Sequence, residues 1–243
     1  MSGRPDFDHR LEQAAAEREA GAFGAARRHL NALLRVTSRG SIQQAAVLNH
    51  LGILGKATGQ FAEARRHYLS ALPIVRRHPR NPYLELADLY HNLGGLDHAR
   101  GRYRAGEPLA RKAIALRARR HGPQAIVTWL DRTAHAALLH GLGDYARAER
   151  VYRRALPRFR RHYGAAHFEV AMTRNNLGCA LALQGKWPEA RREIETAVRL
   201  FTRLLGPRHP TTRATRRTLA AAEAAAQPCR HTGSGRHPHR FTR

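Results

Sequence analysis

Four glycines, Gly59, Gly101, Gly143 and Gly185, stand 42 residues apart, and two residues after each comes an aromatic: Phe61, Tyr103, Tyr145 and Trp187. Ala71, Ala113, Ala155 and Ala197 keep the same step. Three positions in phase over four copies define a repeat array, in which each period is one supersecondary piece that buries its apolar face only by stacking on its neighbours. A shortened copy, "EAGAFGAARRHL", places Gly21 and Phe23 38 residues before Gly59 and Phe61. An array of this kind is one continuous stack, so the 243 residues are not divided into conventional domains.

The repeated unit reads as helix. Ala, Leu, Arg and Glu dominate and strand-forming runs are nearly absent. In the second copy the first helix is predicted over residues 41–58, and Gly59 then leaves it in a left-handed conformation costly for other residues. Phe61 opens the second helix and fills the wedge between the two. Ala64 and Ala71, on one face, allow close backbone approach, with Gly52 as the matching small residue opposite. No apolar run is long enough to span a bilayer and "MSGRPDFDHRLEQ" carries no apolar leader core, so no membrane is expected and the chain is assigned to the cytoplasm. Two cysteines exclude a disulfide framework or a four-cysteine zinc site. Cys179 is expected to be a small packed side chain and Cys229 a free thiol.

"LG" at Leu51 and Gly52, followed by Gly59, Phe61, Ala64, Tyr68 and Ala71, resembles the tetratricopeptide repeat. Leu93 and Gly94, and Leu177 and Gly178, repeat its opening. The 42-residue period, "NNLG" at residues 175–178 and "LLGPRHP" at 204–210 are similar to the longer repeats of kinesin light chains and their bacterial relatives. The resemblance implies an all-α, right-handed helical-repeat solenoid of antiparallel helix pairs over residues 6–227. The pairs are predicted at about 7–38, 41–78, 82–120, 124–162 and 166–205, with a capping helix at 209–227. Residues 228–243 are read as a basic, disordered tail.

Departures from the pattern carry their own expectations. Gly106 and Pro108 should delay or bend the second helix of the third copy, and Pro73 and Pro157 should kink theirs. Gly122, Gly164 and Gly206, in phase, end the second helices. The fourth copy has "TAHA" in place of "NNLG".

Catalytic motifs are missing: there is no GxSxG elbow, HExxH or phosphate-binding loop, so no enzyme, cofactor or metal site is expected. The densest group of metal-binding residue types, Cys229, His231, His237 and His239, falls in the tail and is read as a solvated basic segment. The carboxylates Glu63, Glu149 and Glu189 are read as early-helix charges near the positive helix end.

Function therefore rests on surfaces. The resemblance implies that the first helices line a concave groove for a partner segment. Carried over by position, the groove comprises Ala46, Asn49, His50, Ile53 and Lys56; Asp88, His91, Asn92, Gly95 and His98; Leu130, Thr133, Ala134, Ala137 and His140; and Met172, Asn175, Asn176, Cys179 and Ala182. Asn49, Asn92, Asn175 and Asn176 are the candidates for pairing with a peptide backbone, since an amide both donates and accepts; bonds within and between helices are the competing role. Lys56, His98 and His140, at one position through three copies, would favour acidic groups. The expected partner is thus a protein or peptide, with acidic residues favoured. Nucleic acid is the alternative: the formal charge is +25, nearly all from arginine, and such a charge attracts polyanions. Against it, Arg65, Arg66, Arg111, Arg150, Arg153, Arg154, Arg191 and Arg192 fall on second helices, expected to form a solvated outer coat, and exposed aromatics for base stacking are lacking.

Overall fold

A computed structural model describes residues 3–78 and 83–226. Among these residues it contains eleven helices and no strand: α1 (Gly3–Glu19), α2 (Phe23–Val36), α3 (Ile42–Ala57), α4 (Phe61–Arg77), α5 (Tyr83–Ala99), α6 (Tyr103–His121), α7 (Ile126–Gly141), α8 (Tyr145–Tyr163), α9 (Phe168–Ala182), α10 (Trp187–Leu205) and α11 (Pro210–Ala226). The architecture is an all-α helical-repeat solenoid. Every second helix of a pair begins on the phased aromatic: Phe23, Phe61, Tyr103, Tyr145 and Trp187.

The turn within each pair has one construction. Gly21, Gly59, Gly101, Gly143 and Gly185 all take positive φ, between 68° and 85°. The next residue donates its backbone N–H to the carbonyl five residues back: Ala22 to Glu17, Gln60 to Gly55, Arg102 to Asp97, Asp144 to Leu139 and Lys186 to Leu181, at 2.7–3.0 Å. This is the Schellman arrangement, and it satisfies carbonyls that the helix end would otherwise leave unpaired.

The chain forms two compact units, Met1–His162 and Tyr163–Arg243. In the first, α1 packs on α2, α3 on α4 and α5 on α6, while α2 meets α3, α4 meets α5 and α6 meets α7. The first helices also touch in series, α1 to α3, α3 to α5 and α5 to α7. Apolar clusters fill the space between successive pairs: Leu30, Leu33, Val47, Leu51 and Leu54 in one, and Tyr68, Val75, Leu89, Leu93 and Leu96 in the next. In the second unit α10 packs against both α9 and α11, over a core that includes Ala171, Ala197 and Phe201. The hydroxyl of Thr212 in α11 donates to the Gly206 carbonyl at 2.9 Å, as Thr128 in α7 does to Gly122 at 3.0 Å. These threonines are two periods apart, so α11 stands where the first helix of a sixth copy would.

Several expectations need correction. Gly106 and Pro108 do not delay α6, which starts on Tyr103 in register with the other copies. A β-carbon at Gly106 would come within 2.8 Å of Leu138 Cδ2, so the glycine makes room for a side chain from α7. Pro73 and Pro157 lie inside α4 and α8, which run on past them, so the expected kinks fall within continuous helices. Both prolines are exposed, as are Leu69 and Arg153 four residues earlier, so water can reach the carbonyls that lose a donor. Gly52 does not face the small alanines. It receives the Tyr68 ring, whose Cε1 would lie 2.3 Å from a β-carbon there, and Gly55 is the residue that meets Ala64.

Carboxylates also pair with arginines of neighbouring helices. Arg27 of α2 bonds Glu63 of α4 at 2.8 Å, and Arg65 of α4 turns from the expected coat to the buried Asp97 of α5 at 2.9 Å. Such pairs run from one helix pair to the next, and Asp97 would carry an uncompensated buried charge without Arg65. The cysteine and histidines of the tail lie outside the described residues.

Candidate partner-binding groove

The series contact of α1, α3, α5 and α7 brings the first-helix side chains of the first unit onto one surface. Asn92 Nδ2 on α5 donates to Asn49 Oδ1 on α3 at 2.9 Å. The pair ties two first helices together and still offers Asn49 Nδ2 as donor and Asn92 Oδ1 as acceptor. In the second unit, Asn175 Nδ2 on α9 lies 3.3 Å from Asn176 Oδ1, and Asn175 Oδ1 is buried with no hydrogen-bond partner in the protein.

Lys56, His98 and His140 form a connected row. Lys56 reaches from α3 to α5, where a β-carbon at Gly95 would approach its Nζ to 2.9 Å. His98 packs edge-on against Tyr103 at 5.6 Å between ring centroids, and His140 against Tyr145 at 5.3 Å. Burial lowers the proton affinity of His98, and the positive charges of Lys56 and His140 lower it further. Burial alone lowers those of Lys56 and His140. Each of the three therefore holds its positive charge less readily than in water.

His91 is committed elsewhere. Its Nδ1 donates to Asp131 Oδ1 on α7 at 2.8 Å, while Arg117 of α6 bonds Asp131 Oδ2 through Nε at 2.9 Å and Asp88 through Nη2 at 2.8 Å. The Asp131 side chain is only 2% exposed. Its burial opposes ionisation, but the hydrogen bonds from His91 and Arg117 outweigh that and hold the carboxyl below its ordinary range.

At the α1 end a cavity of about 260 Å³ opens among Phe7, Leu11, Ala46, Asn49 and Leu89. Asp8, Glu85 and Asp88 stand on its wall together with His50. The periodic reading missed the contributions of α1, because the first copy lacks the "LG" pair that sets the phase. Asp97, Arg117 and Asp131 were missed as well, although a charge at a phase position that is uncharged in other copies was a usable signal. Asp131 stands where the other copies have Val47, Leu89 and Thr173.

Cys179 is a partly buried thiol whose ionisation burial opposes. No group of three or more His, Cys, Asp or Glu side chains among the described residues could hold a metal ion, and none of the described helices is long and apolar enough to cross a membrane.

The sequence profile described as tetratricopeptide repeat matches residues 85–161, 126–192 and 169–228, together more than half of the chain. A comparison with curated proteins finds no match. Among solved structures, BtubC (BKLC) from P. vanneervenii is 21% identical, with a TM-score of 0.63 over 90% of this chain and 84% of that one. The TPR-like repeats of a kinesin light chain-type protein from Podosopora anserina are 15% identical, with a TM-score of 0.61 over 84% and 98%. A Signal Transduction ATPase with Numerous Domains from Pyrococcus horikoshii, which has a tetratricopeptide repeat sensor, is 16% identical with a TM-score of 0.66. That match covers 89% of this chain and 31% of that protein.

Proposed function

Because this chain belongs to the tetratricopeptide repeat family, whose repeats are protein-interaction scaffolds, we propose that it is a non-catalytic adaptor that holds an extended partner segment along α1, α3, α5 and α7. The observation that carries this reading is the Asn49–Asn92 pair, bonded across neighbouring helices with one amide donor and one carbonyl acceptor still to offer. Such a pair can bond a peptide main chain without demanding one sequence. Charge then sets preference. The row of Lys56, His98 and His140 across α3, α5 and α7 favours acidic groups, and the cavity walled by Asp8, Glu85 and Asp88 favours a basic or apolar side chain.

The test is affinity capture after nuclease treatment, comparing wild type with Asn49→Ala/Asn92→Ala. Capture should be lost while far-ultraviolet circular dichroism is unchanged. Retention of the partner by a correctly folded double variant would show that the groove is not the site. Absorbance of the purified protein before and after nuclease separates this reading from nucleic-acid binding, whose affinity would fall steeply with salt.

A further inference from the structure

Between α7 and α8, away from the groove positions, three arginines gather on one indole. The guanidinium carbons of Arg132, Arg154 and Arg158 lie 4.5, 5.6 and 4.4 Å from the centroid of the Trp129 ring. Trp129 is 2% exposed, and its Nε1 is buried with no hydrogen-bond partner in the protein. Cation–π attraction draws each guanidinium to the ring, but three cations at one ring also repel one another.

Elsewhere the arginines that turn toward the interior meet carboxylates, as Arg27, Arg65, Arg117 and Arg174 do. The bonds recorded for this cluster are to neutral acceptors. Arg132 donates to the Pro123 carbonyl at 2.6 Å, and Arg158 to the Arg154 carbonyl at 2.6 Å and to Gln124 Oε1 at 3.3 Å. Burial, then the nearby charges of Arg154 and Arg158, lower the proton affinity of the Arg132 guanidinium. These neutral bonds orient the guanidinium forks and neutralise nothing.

The cluster is also particular to this copy. Trp129 stands where the other copies have the small Ala45, Ala87 and Ala171, and Arg158 where they have Ile74, Leu116 and Leu200. Arg132 replaces Leu48 and Tyr90; Arg174 and Arg216 are the other arginines in that phase, and Arg216 points to the Pro207 carbonyl as Arg132 does to that of Pro123. Repeat packing does not require these residues, since its other copies are built without this combination.

We propose that Arg132, Arg154 and Arg158, set around Trp129, form a receptor for one phosphomonoester carried on a phosphorylated side chain of a partner protein. A tetrahedral dianion takes several charge-assisted bonds from planar guanidinium forks, and it supplies the counter-charge this cluster lacks. All three guanidinium carbons lie within 5.6 Å of one ring centroid, and the receptor requires their forks to converge on a single phosphate. A nucleic-acid strand would want phosphate contacts spaced along a track and an open aromatic face for bases, whereas Trp129 is buried beneath the arginines. The inference is independent of the groove reading: Arg132 is none of the groove positions, and Arg154 and Arg158 lie on α8.

Trp129 reports on its own site. With Trp187→Phe in the full chain it is the sole tryptophan, and its emission is followed at constant ionic strength. Inorganic phosphate, a phosphoserine peptide, the same peptide unphosphorylated and a single-stranded RNA are titrated separately. Saturable change is expected with phosphate, with at least tenfold tighter binding of the phosphopeptide and none of its unphosphorylated form. Arg154→Gln and Arg158→Gln should each weaken binding by about tenfold, the loss of one charge-assisted hydrogen bond, whereas Asn49→Ala/Asn92→Ala should leave it unchanged. Arg158→Lys, which keeps the charge and the packing, serves if the glutamine variants do not fold, and should weaken binding to a smaller extent. Any of four results overturns the proposal: no saturable response to phosphate or phosphopeptide, equal binding of the unphosphorylated peptide, tighter binding of RNA per phosphate than of phosphopeptide, or an unchanged affinity in the folded arginine variants. Phosphate binding with no gain for the phosphopeptide overturns the assignment to a partner protein.

Discussion

Replacing Arg117 and Asp131 together should cost far less than replacing either alone. Asp131 is 2% exposed and Arg117 13%, with Nε to Oδ2 at 2.9 Å. One period earlier the same two phases hold Val75 and Leu89, which pack in one apolar cluster. Breaking a buried ion pair from one side costs about 3–5 kcal/mol, because the remaining charge stays desolvated. Here Arg117 keeps Asp88, itself 47% exposed, so Asp131→Leu alone should destabilise by about 2–4 kcal/mol. At about 2–4 °C per kcal/mol for a chain of this size, Tm should fall by roughly 4–16 °C. Arg117→Val/Asp131→Leu rebuilds the Val75–Leu89 contact one period downstream and removes both desolvation penalties. It should return to within about 1 kcal/mol of wild type, since well-packed apolar replacements of buried pairs are often neutral. Urea denaturation followed by circular dichroism, with all four members of the double-mutant cycle, measures the coupling. If the double variant is as unstable as the sum of the singles, the ion pair is not what holds this junction and the argument fails.

Acid should act on the same pair: the folded-state pKa of Asp131 is depressed, so its stabilisation is present above the unfolded value of about 3.9 and lost as pH falls through the folded value. Wild type and Asp131→Asn should therefore converge in stability below about pH 4, as thermal melts at several pH values would show. Burial, followed by the charges of Lys56 and His140, depresses His98, and burial depresses His140. Both should titrate below the ordinary 6.5 by NMR, and their neutral forms favour the fold above that pH, with stability declining as pH falls through their folded values. The Tyr68 hydroxyl is buried with no hydrogen-bond partner in the protein, so Tyr68→Phe should raise stability by about 1 kcal/mol, the desolvation cost of an unpaired hydroxyl; a lowered Tm would contradict this. Gly52→Ala places a methyl 2.3 Å from the ring of Tyr68 and should destabilise by about 1–3 kcal/mol in the same denaturation assay.

The fold was legible because its determinants recur. Gly59 and its phase mates close Schellman turns, Phe61 and its mates open the second helices, and Ala64, Ala71 and their mates lie in the core. Averaging over copies shows a requirement common to all of them, and hides what belongs to one. The prolines illustrate the limit: the delayed start expected from Pro108 does not occur, and α4, α6 and α8 each run on through an exposed proline. The surface of the candidate groove was legible in part. Asn49 and Asn92 were picked out, but their bond to each other depends on α3 lying beside α5 at a particular register. His91 was picked out too, yet its partner Asp131 lies 40 residues away on α7.

By itself, then, the sequence determined the repeat, its helix pairs and the residues at their turns and wedges, because a period couples local backbone preference to a packing problem solved the same way in each copy. Tertiary structure decided where the charges go. Arg65 and Arg154 share the second-helix pattern that reads as a solvated coat, yet Arg65 meets the buried Asp97 and Arg154 joins the cluster on Trp129. Whether an arginine faces water, a carboxylate or an indole depends on what the neighbouring copy places opposite it. That opposite residue is remote in the chain, and only the stacking of one pair on the next brings the two together.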